Sequence, residues 1–251
     1  MAGHSHAKNV MHQKGKEDVK KARVFNKLAR EITVSAKLGS PDPAANPRLR
    51  AAIAEARANN MPRDRIERAL KAAQPGLNEG ANYDEVRYEA YGPGGSALII
   101  EALTDNRNRT ASELRTALSK QGGTLGETNS VAFMFTRIGH IVYASSVASE
   151  DAMLEAVIEA GGENVETFTD IHEITTSPDD FGPVRAALES KFGEPQSAKL
   201  SWKAQTQVPV AGDAAQDLLK LLDVLEDNDD VQNVFGNYEI QQAEMDRFAA
   251  S

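Results

Sequence analysis

The sequence has no cysteine, no long apolar run and no apolar leader at its start. Without thiols it has no disulfide, no thiolate zinc site and no cysteine nucleophile, which fits a reducing compartment. The longest uncharged stretch, Ile138 to Ser149, is far shorter than the roughly 18 to 20 apolar residues that cross a bilayer. The first residues also lack the apolar region of a signal peptide. We therefore expect a cytoplasmic protein with no membrane partner.

Recognisable catalytic and cofactor motifs are missing as well. There is no G-x-S-x-G nucleophile motif and no H-E-x-x-H metal motif. The run Gly92–Gly95 lacks the lysine and hydroxyl residue of a phosphate-binding loop, and we interpret it as a turn. His4, His6 and His12 could bind Cu(II) or Ni(II), but adventitious binding near a chain end is the better interpretation. These absences disfavour an enzyme, a functional metal site and a small-molecule substrate.

Charge is divided unevenly along the chain. The net charge is -9, but residues 1–75 hold 16 Lys and Arg against 7 Asp and Glu, which gives +9. Residues 76–251 hold the other 12 basic residues against 30 acidic ones, which gives -18. A split of this kind predicts a basic module joined to an acidic body, and it favours a polyanionic partner for the module.

The basic module has the pattern of a small helical domain. Helices are predicted over residues 17–37, 47–58 and 62–73, ended or begun by Pro and Gly. In the first helix Phe25, Leu28 and Ile32 form an apolar stripe. The opposite face collects basic side chains, continued by two lysines upstream: Lys8, Lys14, Lys16, Lys20, Arg23, Lys27 and Arg30. This face predicts phosphate binding through ion pairing, and an ordinary solvated surface is the alternative.

Two further places combine basic residues with a helix end. The Asn59–Met61 turn resembles that of a helix-turn-helix, with Arg63, Arg65 and Arg68 on the second helix, although many helical hairpins look the same. In the segment 105–110, Arg107 and Arg109 lie at a predicted helix N-terminus, which can hold a phosphate or carboxylate. The candidate nucleic-acid contacts therefore also include Arg63, Arg65, Arg107 and Arg109.

The acidic body alternates strands and helices. Strands are predicted near Val86 and Leu98, followed by a helix over 109–120 and a strand in which Val131, Phe133 and Phe135 point one way. Residues 138–203 have the complete order βαββαβ, which is ferredoxin-like. We predict an α+β multidomain protein: a three-helix domain (1–75), then two α/β ferredoxin-like domains, the third (138–203) inserted into the second (76–137 plus 204–251).

Ordered motifs along nearly the whole chain resemble the YebC family. They are Met1–Ser5, Phe25–Leu28, Asp42–Arg50, Asn59–Pro62, Tyr88–Gly95, Leu103–Thr110 and Leu225–Gln232. Members of the family are described as probable transcriptional regulators, and mitochondrial relatives activate translation. The resemblance implies three domains, no enzymatic activity, no cofactor and work on nucleic acid. His6-Ala7 stands where the family commonly has a Lys-Trp pair, so stacking by that Trp is absent.

The favoured function is that of a ribosome-associated translation factor whose basic domain contacts rRNA or tRNA. A DNA-binding transcriptional regulator is the alternative. A hydrolase in the cleft between the α/β domains, with Asp105, Arg107 and Arg109 at its edge, is a remote third. Phosphate contacts do not identify the polymer that carries them, so the sequence does not decide between DNA and RNA as the target. It does not decide the oligomeric state either.

Overall fold

The computed structural model of the protein describes residues 17–74 and 83–249. Two compact units are present: one is formed by the residues up to Phe135 together with those from Ala204 onward, and the other by Thr136–Lys203. No helix in these described ranges is both long and apolar enough to cross a membrane. The α+β class predicted from the sequence is confirmed.

The helices are α1 (Glu17–Leu38), α2 (Pro47–Ala58), α3 (Arg63–Ala72), α4 (Arg107–Lys120), α5 (Glu150–Ala160), α6 (Phe181–Phe192), α7 (Gly212–Glu226) and α8 (Gln242–Ala249). The strands are β1 (Asp84–Tyr91), β2 (Ala97–Thr104), β3 (Thr124–Leu125), β4 (Phe135–Ala144), β5 (Asn164–Thr167), β6 (Ile171–Thr176), β7 (Ser197–Ala204), β8 (Val208–Pro209), β9 (Val231–Gly236) and β10 (Tyr238–Glu239).

Helices α1, α2 and α3 share one apolar core. The predicted stripe of Phe25, Leu28 and Ile32 is buried in it, together with side chains from the other two helices. Asn46 holds the entry to α2, because its side-chain oxygen accepts from the Leu49 amide while its nitrogen donates to the Ser35 carbonyl. An N-cap of this kind satisfies an amide that the helix itself cannot pair.

The α/β part of the first unit contains a four-stranded sheet in the order β3-β1-β2-β9. Strands β1 and β2 form an antiparallel hairpin, and the turn that joins them includes Gly94 at φ +71°. A Cβ atom on Gly94 would also lie 2.7 Å from Val210, so glycine fits this position on both counts. Leu98 and Ile100 of the sheet pack in one core with α4 and α7.

The predicted strand through Val131, Phe133 and Phe135 is wrong in its first part. Residues 132–134 form a 3-10 turn and β4 begins at Phe135, so that Phe133 is 68% exposed while its two neighbours in the pattern are buried. The cause is Glu89, a buried carboxylate that accepts from the amides of residues 129, 131 and 132. These amides therefore bond to a side chain instead of a strand ladder.

The second unit has the βαββαβ order that the sequence predicts. Its sheet runs β5-β6-β4-β7, with the first and third strands of the motif paired antiparallel at the centre. Ile141, Tyr143 and Ile174 of the sheet pack against Met153, Val157 and Leu188 of α5 and α6. This core belongs to the unit alone.

We expect the first unit to fold without the second. The amide of Gln205 donates to the carbonyl of Met134 at 2.9 Å, so the two chain ends that flank the second unit are adjacent. Replacing residues 136–203 by a short Gly/Ser linker should leave cooperative thermal unfolding, measured by circular dichroism. A control that removes only residues 171–192 should instead expose the second unit's core and bind a hydrophobic dye. Absence of a cooperative transition in the first variant would contradict the expectation.

Candidate nucleic-acid interface

The basic face of α1 contacts an acidic segment of its own chain. Arg23 forms an ion pair with Asp227 at 2.5 Å, and Lys27 Nζ donates to the Glu226 carbonyl at 2.5 Å. Burial lowers the pKa of Lys27, although nearby acidic groups oppose that effect. Both partners lie in the segment 226–230, which joins α7 to β9. These cations, predicted from the sequence as phosphate ligands, therefore already have intramolecular partners.

Arg30 is held most tightly of the three. Its side chain is only 15% exposed. Its guanidinium donates to the carbonyls of Leu103 and Asp229 and to Asp230 Oδ1, at 2.6 to 2.9 Å, and it lies 4.7 Å from the centre of the Tyr83 ring. An incoming phosphate would have to replace all of these contacts, so Arg30 is the least available of these three cations.

Asp230 accepts hydrogen bonds both from α1 and from the start of α4. Its side chain is 5% exposed. Its other oxygen accepts from Arg109 Nη2 at 2.8 Å and from the Thr110 hydroxyl at 2.6 Å. Burial alone would raise the pKa of Asp230, but the hydrogen bonds from Arg109, Thr110 and Arg30 outweigh it and lower the pKa. Asp230 is therefore an ionised carboxylate that joins α1 to the start of α4.

The N-terminus of α4 is less open to an anion than its sequence suggests. Asn106 caps the helix by accepting from the Arg109 amide at 3.0 Å. The Arg109 side chain is shared between Asp105 and Asp230. Arg107 pairs with Asp84 at 2.9 Å but is more than half exposed. Both arginines predicted here are exposed, but Arg109 is held by two carboxylates and Arg107 by one.

Helix α3 carries several cations on its outward face. Ile66 and Ala69 face the core, while Arg63, Arg68 and Lys71 fall within about 140° of one another on the opposite side of the helix. Arg63 is 92% exposed and pairs with Glu67, four residues on, and Arg68 pairs with Asp64, four residues before it. Exposed pairs of this spacing are worth about 0.3 to 0.5 kcal/mol, so a phosphate can displace them.

Of the remaining predicted residues, the structure describes Arg65 but not the lysines near the N-terminus. Arg65 donates to Asn26 Oδ1 at 2.7 Å and lies 5.4 Å from the centre of the Phe25 ring. Lys8, Lys14 and Lys16 lie outside the described residues, as do the three N-terminal histidines and the side chain of Lys20. Among residues 17–74 and 83–249, no group of three His, Asp or Glu side chains is placed to hold a metal ion.

Two family models match the chain. The model described as the TACO1/YebC protein N-terminal domain matches residues 5–76, and the one described as the TACO1/YebC second and third domain, which is named as a transcriptional regulator, matches residues 83–238. A crystal structure of a conserved hypothetical protein from Aquifex aeolicus is also similar. It shares 42% sequence identity and a TM-score of 0.81, over 93% of this chain and 96% of that one.

We expect Asp230→Asn to destabilise the protein by about 3 kcal/mol, because it leaves two arginines without their buried counter-charge. Asp229→Asn is the matched control: it removes the same charge from an exposed side chain and should cost less than about 0.5 kcal/mol. Urea unfolding at pH 7 measures both.

The same pair of variants tests the pKa of Asp230. Because this pKa is lowered by folding, the contribution of Asp230 is fully present above the unfolded value near 3.9 and is lost as the pH falls through the folded value. The stability difference between wild type and Asp230→Asn should therefore be constant from pH 7 to about 5 and shrink only in more acidic solution. A difference that already fades between pH 7 and about 6 would show that Asp230 is not ionised as inferred.

Proposed function

The chain belongs to the TACO1/YebC family, and on that premise we propose that it regulates gene expression by binding the phosphates of a nucleic acid, without catalysing a reaction. The observation that carries the proposal is the outward face of α3. Its cations lie in a segment of net charge +9; Arg63 and Arg68 form exposed pairs with acidic neighbours, and Lys71 is exposed. Such side chains can exchange a carboxylate for a phosphate and release counterions.

The ribosome is the favoured target, with rRNA or tRNA as the polymer that α3 contacts. Lysine and arginine side chains such as those of α3 contact phosphates without reading the sequence, although arginine can also read guanine edges. Lys27 and Arg30 are partly buried against partners within the chain, which shortens the basic surface that a long duplex could follow. Residues 76–251, at -18, would be repelled by an extended duplex. A folded RNA among basic proteins suits this distribution, and we place the action in the cytoplasm.

Transcriptional regulation is the second candidate. It is favoured by the name of the model that matches residues 83–238 and by the arrangement of α2 and α3 around a short turn. In a helix-turn-helix protein the second helix reads the major groove, and α3 would take that part. A hydrolase has less support, because Asp105 and Arg109 pair with each other and the Thr110 hydroxyl donates to Asp230.

We expect the triple substitution Arg63→Ala, Arg68→Ala and Lys71→Ala to weaken nucleic-acid binding. Each lost phosphate contact lowers the slope of log K against log salt by about 0.7 for single strands and about 0.9 for duplex DNA. The control is Arg115→Ala, Lys120→Ala and Lys220→Ala, which removes three exposed cations from the α/β part of the same unit. Fluorescence anisotropy with labelled RNA and duplex DNA, at several salt concentrations, measures the slopes. Equal slopes in the two triple variants would refute α3 as the binding face.

The choice of polymer is tested separately. We expect the full chain to sediment with ribosomes through a sucrose gradient, to be released as salt rises, and to discriminate only weakly among duplex sequences. The α3 triple variant should leave the ribosomal fractions at lower salt than the control triple variant. A footprint on one promoter, with discrimination of about 4 kcal/mol or more over unrelated duplex, would instead establish the transcriptional alternative.

A further inference from the structure

Helix α5 of the second unit carries exposed apolar side chains in an acidic setting. Leu154 is 44% exposed and Ile158 is 65% exposed, one turn apart on the same side of the helix. Met153, Ala156 and Val157 fill the core on the other side, so the two exposed residues do not contribute to the packing of the unit. We call Leu154 and Ile158 the α5 ridge.

The ridge is bordered by carboxylates. At 100° per residue, Glu150 lies on one side of it and Asp151 and Glu155 on the other. The helix contains four acidic residues and no basic one. Within the described part of the chain, Glu159 pairs with Lys191, whereas the three bordering acids are exposed and have no ion-pair partner.

Helix stability explains only part of this charge. Glu150 and Asp151 are in the first turn, where they complement the helix dipole. Glu155 lies beyond that turn, and Glu159 lies in the last turn, where a negative charge is unfavourable. Exposed Leu and Ile side chains add nothing to helix stability that a polar residue would not give. A surface that combines both features is better explained by a partner.

We infer that the α5 ridge docks a protein segment in which lysine or arginine residues flank apolar side chains. The apolar side chains of such a segment would cover Leu154 and Ile158, and its cations would meet Glu150, Asp151 and Glu155. A few well-packed residues at the centre of an interface commonly account for most of its affinity, while charged residues at its border set partner choice. The inference goes beyond the proposed function, because it concerns the other unit and a protein partner.

Charge complementarity excludes the other occupants. A second copy bound through the same patch would place two acidic helices against each other, since a two-fold interface pairs like with like. Nucleic-acid phosphates and anionic lipid headgroups would be repelled, and α5 has no lysine or arginine to attract them. Only a cationic protein surface satisfies both the apolar ridge and its border.

The test uses the full chain and a synthetic probe, a fluorescent amphipathic peptide of leucine and lysine. A peptide of leucine and glutamate, which has the opposite charge, is the control. Anisotropy should show binding of the lysine peptide alone. We expect Leu154→Ser with Ile158→Ser to weaken it about tenfold or more. Asp151→Asn with Glu155→Gln, which leaves the apolar residues in place, should weaken it as well. Val224→Ser, at an equally exposed apolar residue of α7, should bind as wild type.

Three results would overturn the inference: unchanged binding in both double variants, binding of the glutamate peptide, or a wild-type dimer that Leu154→Ser with Ile158→Ser converts to monomer in sedimentation. The α3 triple variant should bind the lysine peptide as wild type does. Failure of the nucleic-acid proposal and failure of this one are therefore distinguishable.

Discussion

The ionised carboxylate of Asp230 is the contact on which the arrangement of the first unit depends. It follows α7 in the chain, yet it accepts hydrogen bonds from Arg30 of α1 and from Arg109 and Thr110 of α4. A carboxylate buried to this degree would be unstable without such partners. Two guanidinium groups and a hydroxyl offset its desolvation, and in doing so they fix α1 beside the end of β2, where Arg30 also donates to the Leu103 carbonyl.

This contact decides which cations serve the fold and which are available outside. The sequence places its densest basic face on α1, but Arg23, Lys27 and Arg30 point at residues 226–230. The excess charge of the two parts of the chain, +9 and -18, is therefore partly neutralised internally. Arg63 and Arg68 of α3 form exposed pairs, which salt screens and phosphate can replace. Arg30, whose partner Asp230 is buried, thus serves the fold, whereas Arg63 and Arg68 have exposed partners that can be exchanged.

Local patterns in the sequence predicted most of the fold. The period of Phe25, Leu28 and Ile32 is a property of one helix, and the βαββαβ order of the second unit follows from neighbouring segments. The features that the sequence did not predict depend on contacts between residues far apart in the chain. The amides after Asn129 leave the strand pattern because Glu89, about forty positions earlier, accepts from them. Arg30 and Asp230 are 200 positions apart, and nothing in the spacing of either segment indicates that they meet.

Opposite charge on α3 and α5 also bears on selectivity. A polyanion attracted to Arg63, Arg68 and Lys71 is repelled by α5, which has four acidic residues and no basic one. A cationic protein segment attracted to α5 is repelled by α3 in the same way. Each surface therefore excludes the ligand of the other, and specificity arises as much from the unfavourable pairing as from the favourable one. Under the two proposals, a complex that offers both polyanion and basic protein, as a ribosome does, would satisfy both surfaces, whereas duplex DNA alone would satisfy only the first.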